Sequence, residues 1–228
     1  MATRKSKKSD ETLVDIVQVK VKAEDFFERN QIAVLATLGA IVLIIGGLFV
    51  YQNVYKKPRN EKAMAQMFQA QFQFERDSFA LALDNPGGGY DGFLDIIDKF
   101  SGTKASNLAN YYAGVCYLHL GRYEAAIDFL NDFKAAGEVT PIMKHGTLGD
   151  AYSELEDWKN AISHYEKAAE TSNNEYLTPY YLKKLGLLYE RQGDQAKALK
   201  AFERIKKDYP NTTASQGIDK YIARAKVE

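Results

Sequence analysis

The sequence predicts an all-α protein in which one N-terminal transmembrane helix precedes a solenoid of helix pairs closed by a C-terminal capping helix. Three observations predict it: a long uncharged apolar stretch, three segments that repeat with constant internal offsets, and an amphipathic final segment. We divide the chain into a tail (1–30), a transmembrane helix (31–55), a leading helix with a degenerate first repeat (56–106), and three repeats with the capping helix (107–228).

The transmembrane helix is predicted because residues 30–55 contain no charged side chain. An α-helix rises about 1.5 Å per residue, so roughly 20 apolar residues cross a hydrocarbon core of about 30 Å. A cleaved signal peptide needs a short basic head and a small-residue cleavage site. The head here is 30 residues long and residues 46–52 offer no such site, so the sequence favours an uncleaved anchor.

Positive charge on the two flanks predicts the orientation. The basic residues of the tail are Arg4, Lys5, Lys7, Lys8, Lys20, Lys22 and Arg29, and those soon after the span are Lys56, Lys57, Arg59 and Lys62. The larger number on the tail favours a cytoplasmic N-terminus, since cytoplasmic flanks carry the excess of Lys and Arg. A count restricted to about 20 residues on each side has the opposite sign.

The tail has a second pattern, because Val17, Val19 and Val21 alternate with polar residues. This period of two predicts a strand with one apolar face. A lone strand is not stable in water. The strand would therefore pair with a partner at the cytoplasmic surface, or the tail would lie loosely at the lipid headgroups.

Small residues in the span fall near one helical stripe, where they would let another membrane helix approach closely. They are Ala36, Gly39, Ala40, Gly46 and Gly47. We interpret the stripe as a helix-packing face, although small residues are also common in spans that pack against nothing.

Residues 60–84 have helical spacing of apolar side chains and predict one long leading helix. The glycines at 87–89 end this pattern, and because no Gly-Lys-Ser/Thr follows them, we interpret them as a turn rather than a phosphate-binding loop. Residues 92–100 predict a second short helix.

Three repeats follow, marked by Gly114, Gly149 and Gly186, which are 35 and 37 residues apart. In each repeat a Tyr follows the glycine by three residues, an Ala by twelve and a large apolar residue by sixteen. This pattern resembles the tetratricopeptide repeat (TPR), which implies two antiparallel helices per unit. The glycine then lies where the second helix crosses closely, and Gly121, Glu156 and Gly193 lie in the turns between the helices.

Little in the sequence indicates chemistry. The formal net charge is zero, which argues against nucleic acid because phosphate binding needs a basic surface. The three histidines, His119, His145 and His164, are scattered and show no metal-ligand spacing. Cys116 with His119 would lack a third orienting group and an oxyanion hole. We therefore predict a protein that is not an enzyme and has no cofactor and no metal.

A concave binding surface is the remaining prediction, since stacked helix pairs curve and their first helices line the inner side. The repeat register directs a mixed set of aromatic, aliphatic and charged residues into this groove: Leu108, Tyr111, Val115, Met143, Asp150, Tyr180, Lys183 and Leu187. Such a surface suits an extended peptide or a partner helix. Some of these residues could instead pack against the leading helix.

The layout of tail, span, leading helix, repeats and cap, with the segments 107–118 and 202–210, resembles the YfgM-type ancillary subunit of the bacterial SecYEG translocon. This resemblance implies a single-pass inner-membrane protein with a cytoplasmic N-terminus and a periplasmic TPR domain. It also implies three partners besides the lipid bilayer: the channel subunits, a membrane-anchored periplasmic chaperone and translocating polypeptides. A scaffold of another cell-envelope assembly or secretion machine stays open as the alternative.

Overall fold

The computed structural model describes the backbone of residues 6–226 and the side chains of residue 20 and residues 26–226. The regular secondary structure of the described residues is entirely helical, and these residues contain no strand. The helices are α1 (Ser6–Val50), a π-helical segment (Tyr51–Lys56), α2 (Lys57–Glu75), α3 (Phe79–Leu83), α4 (Phe93–Lys99), α5 (Lys104–His119), α6 (Tyr123–Asp132), α7 (Thr140–Glu154), α8 (Trp158–Glu170), α9 (Leu177–Arg191), α10 (Gln195–Asp208), a 3-10 turn (Thr213–Ser215) and α11 (Ile218–Ala225). The chain divides into two compact units between Pro58 and Arg59.

The first unit contains α1 and the π-helical segment. Asn30 has non-helical backbone angles inside α1 and kinks it where the uncharged stretch begins. Within the part of the chain that the structure describes, one helical stretch, Phe26–Glu75, is long and apolar enough to cross a membrane, and its most apolar window is not buried. Length and composition of this kind also fit a signal sequence near an N-terminus.

The strand predicted around Val17, Val19 and Val21 is wrong, because α1 runs through these residues. An isolated strand leaves its backbone amides without partners, whereas a helix pairs them within the segment. The helix penalty of a β-branched residue is well under 1 kcal/mol, so local alternation does not decide the backbone here.

The second unit begins with α2, whose N-terminal end is fixed to the α4–α5 connection. The Arg59 guanidinium donates to the carbonyls of Lys99 and Ser101 at 2.8 and 3.0 Å. Asn60 Oδ1 accepts from the Ala105 amide at 2.9 Å. One core cluster joins α2 to α4 and α5; its large members include Met67, Phe93 and Ile96.

The single leading helix predicted over 60–84 is also wrong, because α2 ends at Glu75 and α3 begins at Phe79. Asp77 adopts a left-handed conformation (φ 57°), and the Ser78 amide donates back to the Gln73 carbonyl at 2.9 Å. This is the six-to-one hydrogen bond of a Schellman ending. Asp tolerates the left-handed region better than most residues, so no glycine marks the break in the sequence.

The three repeats are the pairs α5/α6, α7/α8 and α9/α10, and their glycines lie where the helices cross. A Cβ on Gly114 would lie 2.6 Å from Leu130 Cγ, and a Cβ on Gly149 would lie 2.5 Å from Tyr165 Cδ1. In each repeat the glycine therefore touches the large residue sixteen positions later. The predicted physical cause of that offset is confirmed.

The turns between paired helices share one backbone conformation. Gly121, Glu156 and Gly193 all have positive φ, at 71°, 59° and 77°. After the last pair, α11 closes the stack by burying Ile218 and Ile222, as the sequence predicted. The second unit is therefore a solenoid that ends in a short amphipathic helix.

Candidate protein-binding groove

The first helices of the repeats, α5, α7 and α9, carry all eight predicted groove residues. These residues lie six before, three before or one after the repeat glycine. Tyr180 and Leu187 are 48% and 37% exposed. The half-buried members are Leu108, Tyr111, Val115, Met143, Asp150 and Lys183.

The α5 end of this set is largely occupied by the protein itself. Leu108 packs against the core cluster that contains α2. The Tyr111 ring lies 5.3 Å from that of Phe133 and 6.1 Å from that of Tyr112, measured between centroids. Burial raises the pKa of the Tyr111 hydroxyl above its ordinary value, although a hydrogen bond with Thr147 opposes the shift. This end is therefore packed more than it is open.

The centre of the set is a hydrogen-bonded ion pair between two repeats. Asp150 Oδ1 accepts from Lys184 Nζ at 2.6 Å and from the Tyr165 hydroxyl at 2.6 Å. Burial lowers the Lys184 pKa, but the neighbouring carboxylate outweighs it, and the net shift is upward. Burial and the same carboxylate raise the pKa of Tyr165. The Asp150 charge is therefore compensated within the protein, and the pair joins α7 to α9.

Lys184 was absent from the sequence-predicted set, because that set used only the positions six before, three before and one after each repeat glycine. It lies two residues before Gly186, and the equivalent positions are Thr147 and Tyr112. The Lys184 ammonium lies 4.9 Å from the ring centroid of Tyr180. The constant offsets could have identified this position, since it lies on the same helix face as the three that were chosen.

The α9 end is the open part of the set. Lys183 Nζ lies 5.2 Å from the ring centroid of Tyr221, which connects α9 to α11. On the same side, Arg224 of α11 forms a salt bridge with Glu190 of α9. Along α9, the exposed Leu187 lies between Lys183 and Glu190. The exposed Tyr180 precedes Lys183 by three residues, so the surface offers apolar contact beside charged groups.

His145 and His164 meet, although the sequence interpretation treated them as scattered. Their Nδ1 atoms are 3.2 Å apart, and the ring of Tyr152 stacks on His164 with centroids 5.3 Å apart. Burial, and then nearby positive groups, lowers the pKa of both imidazoles, to about 4 for His164. Within the side chains that the structure describes, no three His, Cys, Asp or Glu residues form a metal-binding group.

Cys116 is completely buried in the N-terminal core. Burial raises the pKa of its thiol to about 12, so the nucleophilic thiolate is disfavoured at neutral pH.

In the first unit, all five members of the predicted packing face in the span are exposed: Ala36, Gly39, Ala40, Gly46 and Gly47. Apart from the adjacent residues and the backbone of the helix itself, no atom lies within 4 Å of a Cβ built on Gly39, Gly46 or Gly47.

Comparison with known families agrees with this geometry. Residues 95–138 and residues 140–209 each match a family model described as tetratricopeptide repeat. The second unit is a TPR-like solenoid. The two matched ranges include the three helix pairs and most of α4.

A solved structure has the same fold as the TPR-like solenoid. It is a crystal structure of nearly identical TPR-like repeats named for a Podosopora anserina kinesin light chain, with a TM-score of 0.53 and 14% identity. The match covers 73% of this chain and 85% of that one. No curated protein matches the chain. TPR folds are typically non-enzymatic scaffolds for protein–protein interaction, and the repeats indicate this general function for the second unit.

Proposed function

We propose that this protein is a membrane-anchored accessory subunit of the SecYEG protein-translocation channel. In this proposal the apolar helix anchors the protein in the inner membrane, and the TPR-like solenoid in the periplasm binds a chaperone or an emerging polypeptide. One observation carries the proposal: the same chain contains a long apolar helix whose apolar side chains are exposed and a solenoid with exposed apolar side chains on α9.

The character of the groove supports a polypeptide ligand. Its charged centre is already neutralised, since Lys184 and Tyr165 occupy one oxygen of Asp150. The exposed side chains beside it, Tyr180 and Leu187, can contact apolar residues of many sequences. A tyrosine also contributes a hydroxyl and costs little rotamer entropy on binding. Such a surface suits a segment that has not yet buried its own apolar residues.

The small-residue face of the span supports lateral contact with a membrane partner. Gly39 and Gly46 lie seven residues apart on α1, and no side chain covers them. Without a hydrophobic driving force inside lipid, close backbone approach at small residues is a main source of helix–helix affinity. We assign this face to contact with the channel complex, with the groove as a separate contact.

Photo-crosslinking in cells tests the groove contact. A photoreactive residue replaces Tyr180 in the full chain, and the control replaces Tyr90, which is 43% exposed but lies in the α3–α4 connection. We expect crosslinks at position 180, and not at position 90, to a periplasmic chaperone or to secretory polypeptides. Crosslinks to other envelope machinery without the channel would replace this proposal with the scaffold alternative. Crosslinks to cytoplasmic proteins would overturn the periplasmic placement of the solenoid.

Copurification tests the span contact separately. We expect the tagged full chain to recover the channel subunits from mildly solubilised membranes, and Gly39→Leu with Gly46→Leu to reduce that recovery. Val34→Leu is the matched control, because Val34 lies in the same helix on the side opposite the small-residue set. Equal recovery with all three proteins would contradict the assigned face.

A further inference from the structure

The last three helices of the solenoid are strongly basic. Helices α9, α10 and α11 contain ten Lys and Arg residues but only four Asp and Glu residues. The four helices before them, α5 to α8, contain four Lys and Arg residues and seven Asp and Glu residues. The repeats are therefore polarised along the solenoid, although the formal charge of the whole chain is zero. Such an asymmetry attracts a partner of opposite charge to one end.

The carboxylates of these three helices are already paired within the protein. The four salt bridges are Glu190 with Arg224, Asp219 with Lys206, Glu203 with Lys226, and Asp208 with Arg204. In contrast, Lys183 of α9 and Lys220 of α11 form no salt bridge with a side chain that the structure describes. Two positive charges beside the groove are therefore left without a carboxylate.

Both ammonium groups lie close to the ring of Tyr221. Lys183 Nζ and Lys220 Nζ are 5.2 and 5.4 Å from its centroid, so they are no more than about 11 Å apart, and the Arg224 guanidinium carbon is 5.2 Å from the same centroid. The ring packs on the completely buried Phe202, with centroids 5.4 Å apart. Because an aromatic face attracts cations, Tyr221 holds together groups that would otherwise repel one another. We call these four residues the Tyr221 cation cluster: Lys183, Lys220, Tyr221 and Arg224.

The Tyr221 cation cluster adjoins the exposed apolar side chains of the groove. Tyr180, Lys183 and Leu187 are spaced by three and four residues, so they share one face of α9. Tyr180 and Leu187 are 48% and 37% exposed. A ligand on this face therefore meets an aromatic ring, a cation and an aliphatic side chain in succession. Charge complementarity favours a ligand that carries carboxylates beside apolar groups.

The position of this face favours a polypeptide over a lipid surface. The first helices of stacked repeats line the inner side of a solenoid, and an extended chain reaches that side more easily than a flat bilayer does. We propose that the Tyr221 cation cluster binds acidic side chains of an extended polypeptide whose apolar residues contact Tyr180 and Leu187. This inference rests on the groove contact of the proposed function and adds the charge of its ligand.

Peptide binding to the full chain in nanodiscs of zwitterionic lipid tests the charge preference. The probe is a short fluorescent peptide in which aspartates are interspersed with leucines and serines, and the matched peptide has asparagine in place of every aspartate. We expect the acidic peptide to bind about three- to tenfold more tightly, because each exposed ion pair contributes little by itself. High salt should remove the difference, since it screens exposed charges. Equal affinity for the two peptides at low salt would overturn the proposal.

Paired substitutions test whether this cluster causes the preference. Lys183→Gln with Lys220→Gln should abolish it, whereas Lys183→Arg with Lys220→Arg should keep it because both charges remain. Lys200→Gln with Lys207→Gln is the matched control, since it removes the same charge from exposed positions on α10, outside the cluster. Equal loss in the control would show that the basic end acts as a whole and would contradict the assigned cluster.

Anionic nanodiscs separate the two kinds of partner. Phosphatidylglycerol in the discs should leave the affinity for the acidic peptide unchanged. Displacement of the peptide by this lipid would identify a bilayer surface as the ligand and overturn the proposal. Failure of the translocon proposal would instead change the proteins crosslinked at position 180 in cells and would leave the preference for the acidic peptide in place.

Discussion

His145 of α7 and His164 of α8 face each other, and their Nδ1 atoms are 3.2 Å apart. A hydrogen bond at this distance needs one ring nitrogen to donate and the other to accept, so at least one imidazole must be neutral. Lys167 of α8 and Lys144 of α7 add positive charge nearby, and Tyr152 covers the other side of His164. The contact between the two helices of the middle repeat therefore depends on protonation.

Acid should destabilise the TPR-like solenoid through this pair. The folded-state pKa of each imidazole is lowered from 6.5, to about 4 for His164, so between these values the unfolded chain binds more protons. Stability therefore rises with pH across this range. The full contribution of the histidine pair to the free energy of unfolding is present above about pH 6.5 and is lost as the pH falls toward 4.

Thermal unfolding of the full chain in detergent, measured from pH 7.5 to 4, checks this prediction. His164→Gln should flatten the lower part of the profile, because the glutamine cannot take up a proton in this range. His119→Gln, which changes a histidine outside the pair, is the control variant. Parallel profiles for wild type and His164→Gln would show that other groups cause the acid sensitivity.

Gly149→Ala should destabilise the middle repeat by about 1–3 kcal/mol, the usual cost of overpacking. The new Cβ would lie 2.5 Å from Tyr165 Cδ1. The ring cannot move away freely, because its hydroxyl is bonded to Asp150. Ser153→Ala, on the half-buried part of the same helix, is the control. Chemical denaturation measures both, and a gain in stability for Gly149→Ala, as helix propensity alone predicts, would refute the close contact.

Glu156→Gly should stabilise the protein by up to about 1 kcal/mol. Glu156 has φ 59° in the turn where the other two repeats have glycine, and a side chain is strained in that region. The gain is limited because glycine also increases the entropy of the unfolded chain. The midpoint of thermal unfolding measures the change. A decrease would mean that the Glu156 side chain contributes more than the strain costs.

Cys116 should react with thiol reagents only when the solenoid opens. Its side chain is completely buried, and burial raises the thiol pKa to about 12. We expect the native protein to be labelled slowly at pH 8 and the protein in denaturant to be labelled within the mixing time. Mass spectrometry measures both time courses. Fast labelling of the native protein would show that the α2–α4–α5 core opens locally.

The repeat pattern predicted much of the second unit, because its offsets record close contacts. Gly149 must be small where Tyr165 crosses, and that requirement is visible as a spacing of sixteen. The break after Glu75 could not be predicted, because Asp77 supplies the left-handed residue without a glycine. The strand prediction for Val17–Val21 was wrong. The alternation of valines with polar residues describes only one side of a short segment, whereas backbone hydrogen bonding along the whole segment decides whether it is a helix or a strand.

The candidate groove was predictable in register but not in its charge state. Offsets from the repeat glycines place Tyr180 and Leu187 on the first helix of the third repeat, where the structure has them exposed. No offset indicates that Lys184 pairs with Asp150 from the neighbouring repeat, since the two residues are 34 positions apart and meet only when the repeats stack. The two histidines likewise meet only when α7 and α8 of the middle repeat pack together.

The sequence by itself determined the helical class, the three repeat units, the turn positions and the uncharged N-terminal segment, because each depends on residues near one another in the chain. Tertiary structure alone decided which polar groups neutralise each other and which apolar side chains of α2 are buried in the core. These depend on distances between residues that are far apart in sequence, and such distances exist only after the helix pairs have packed.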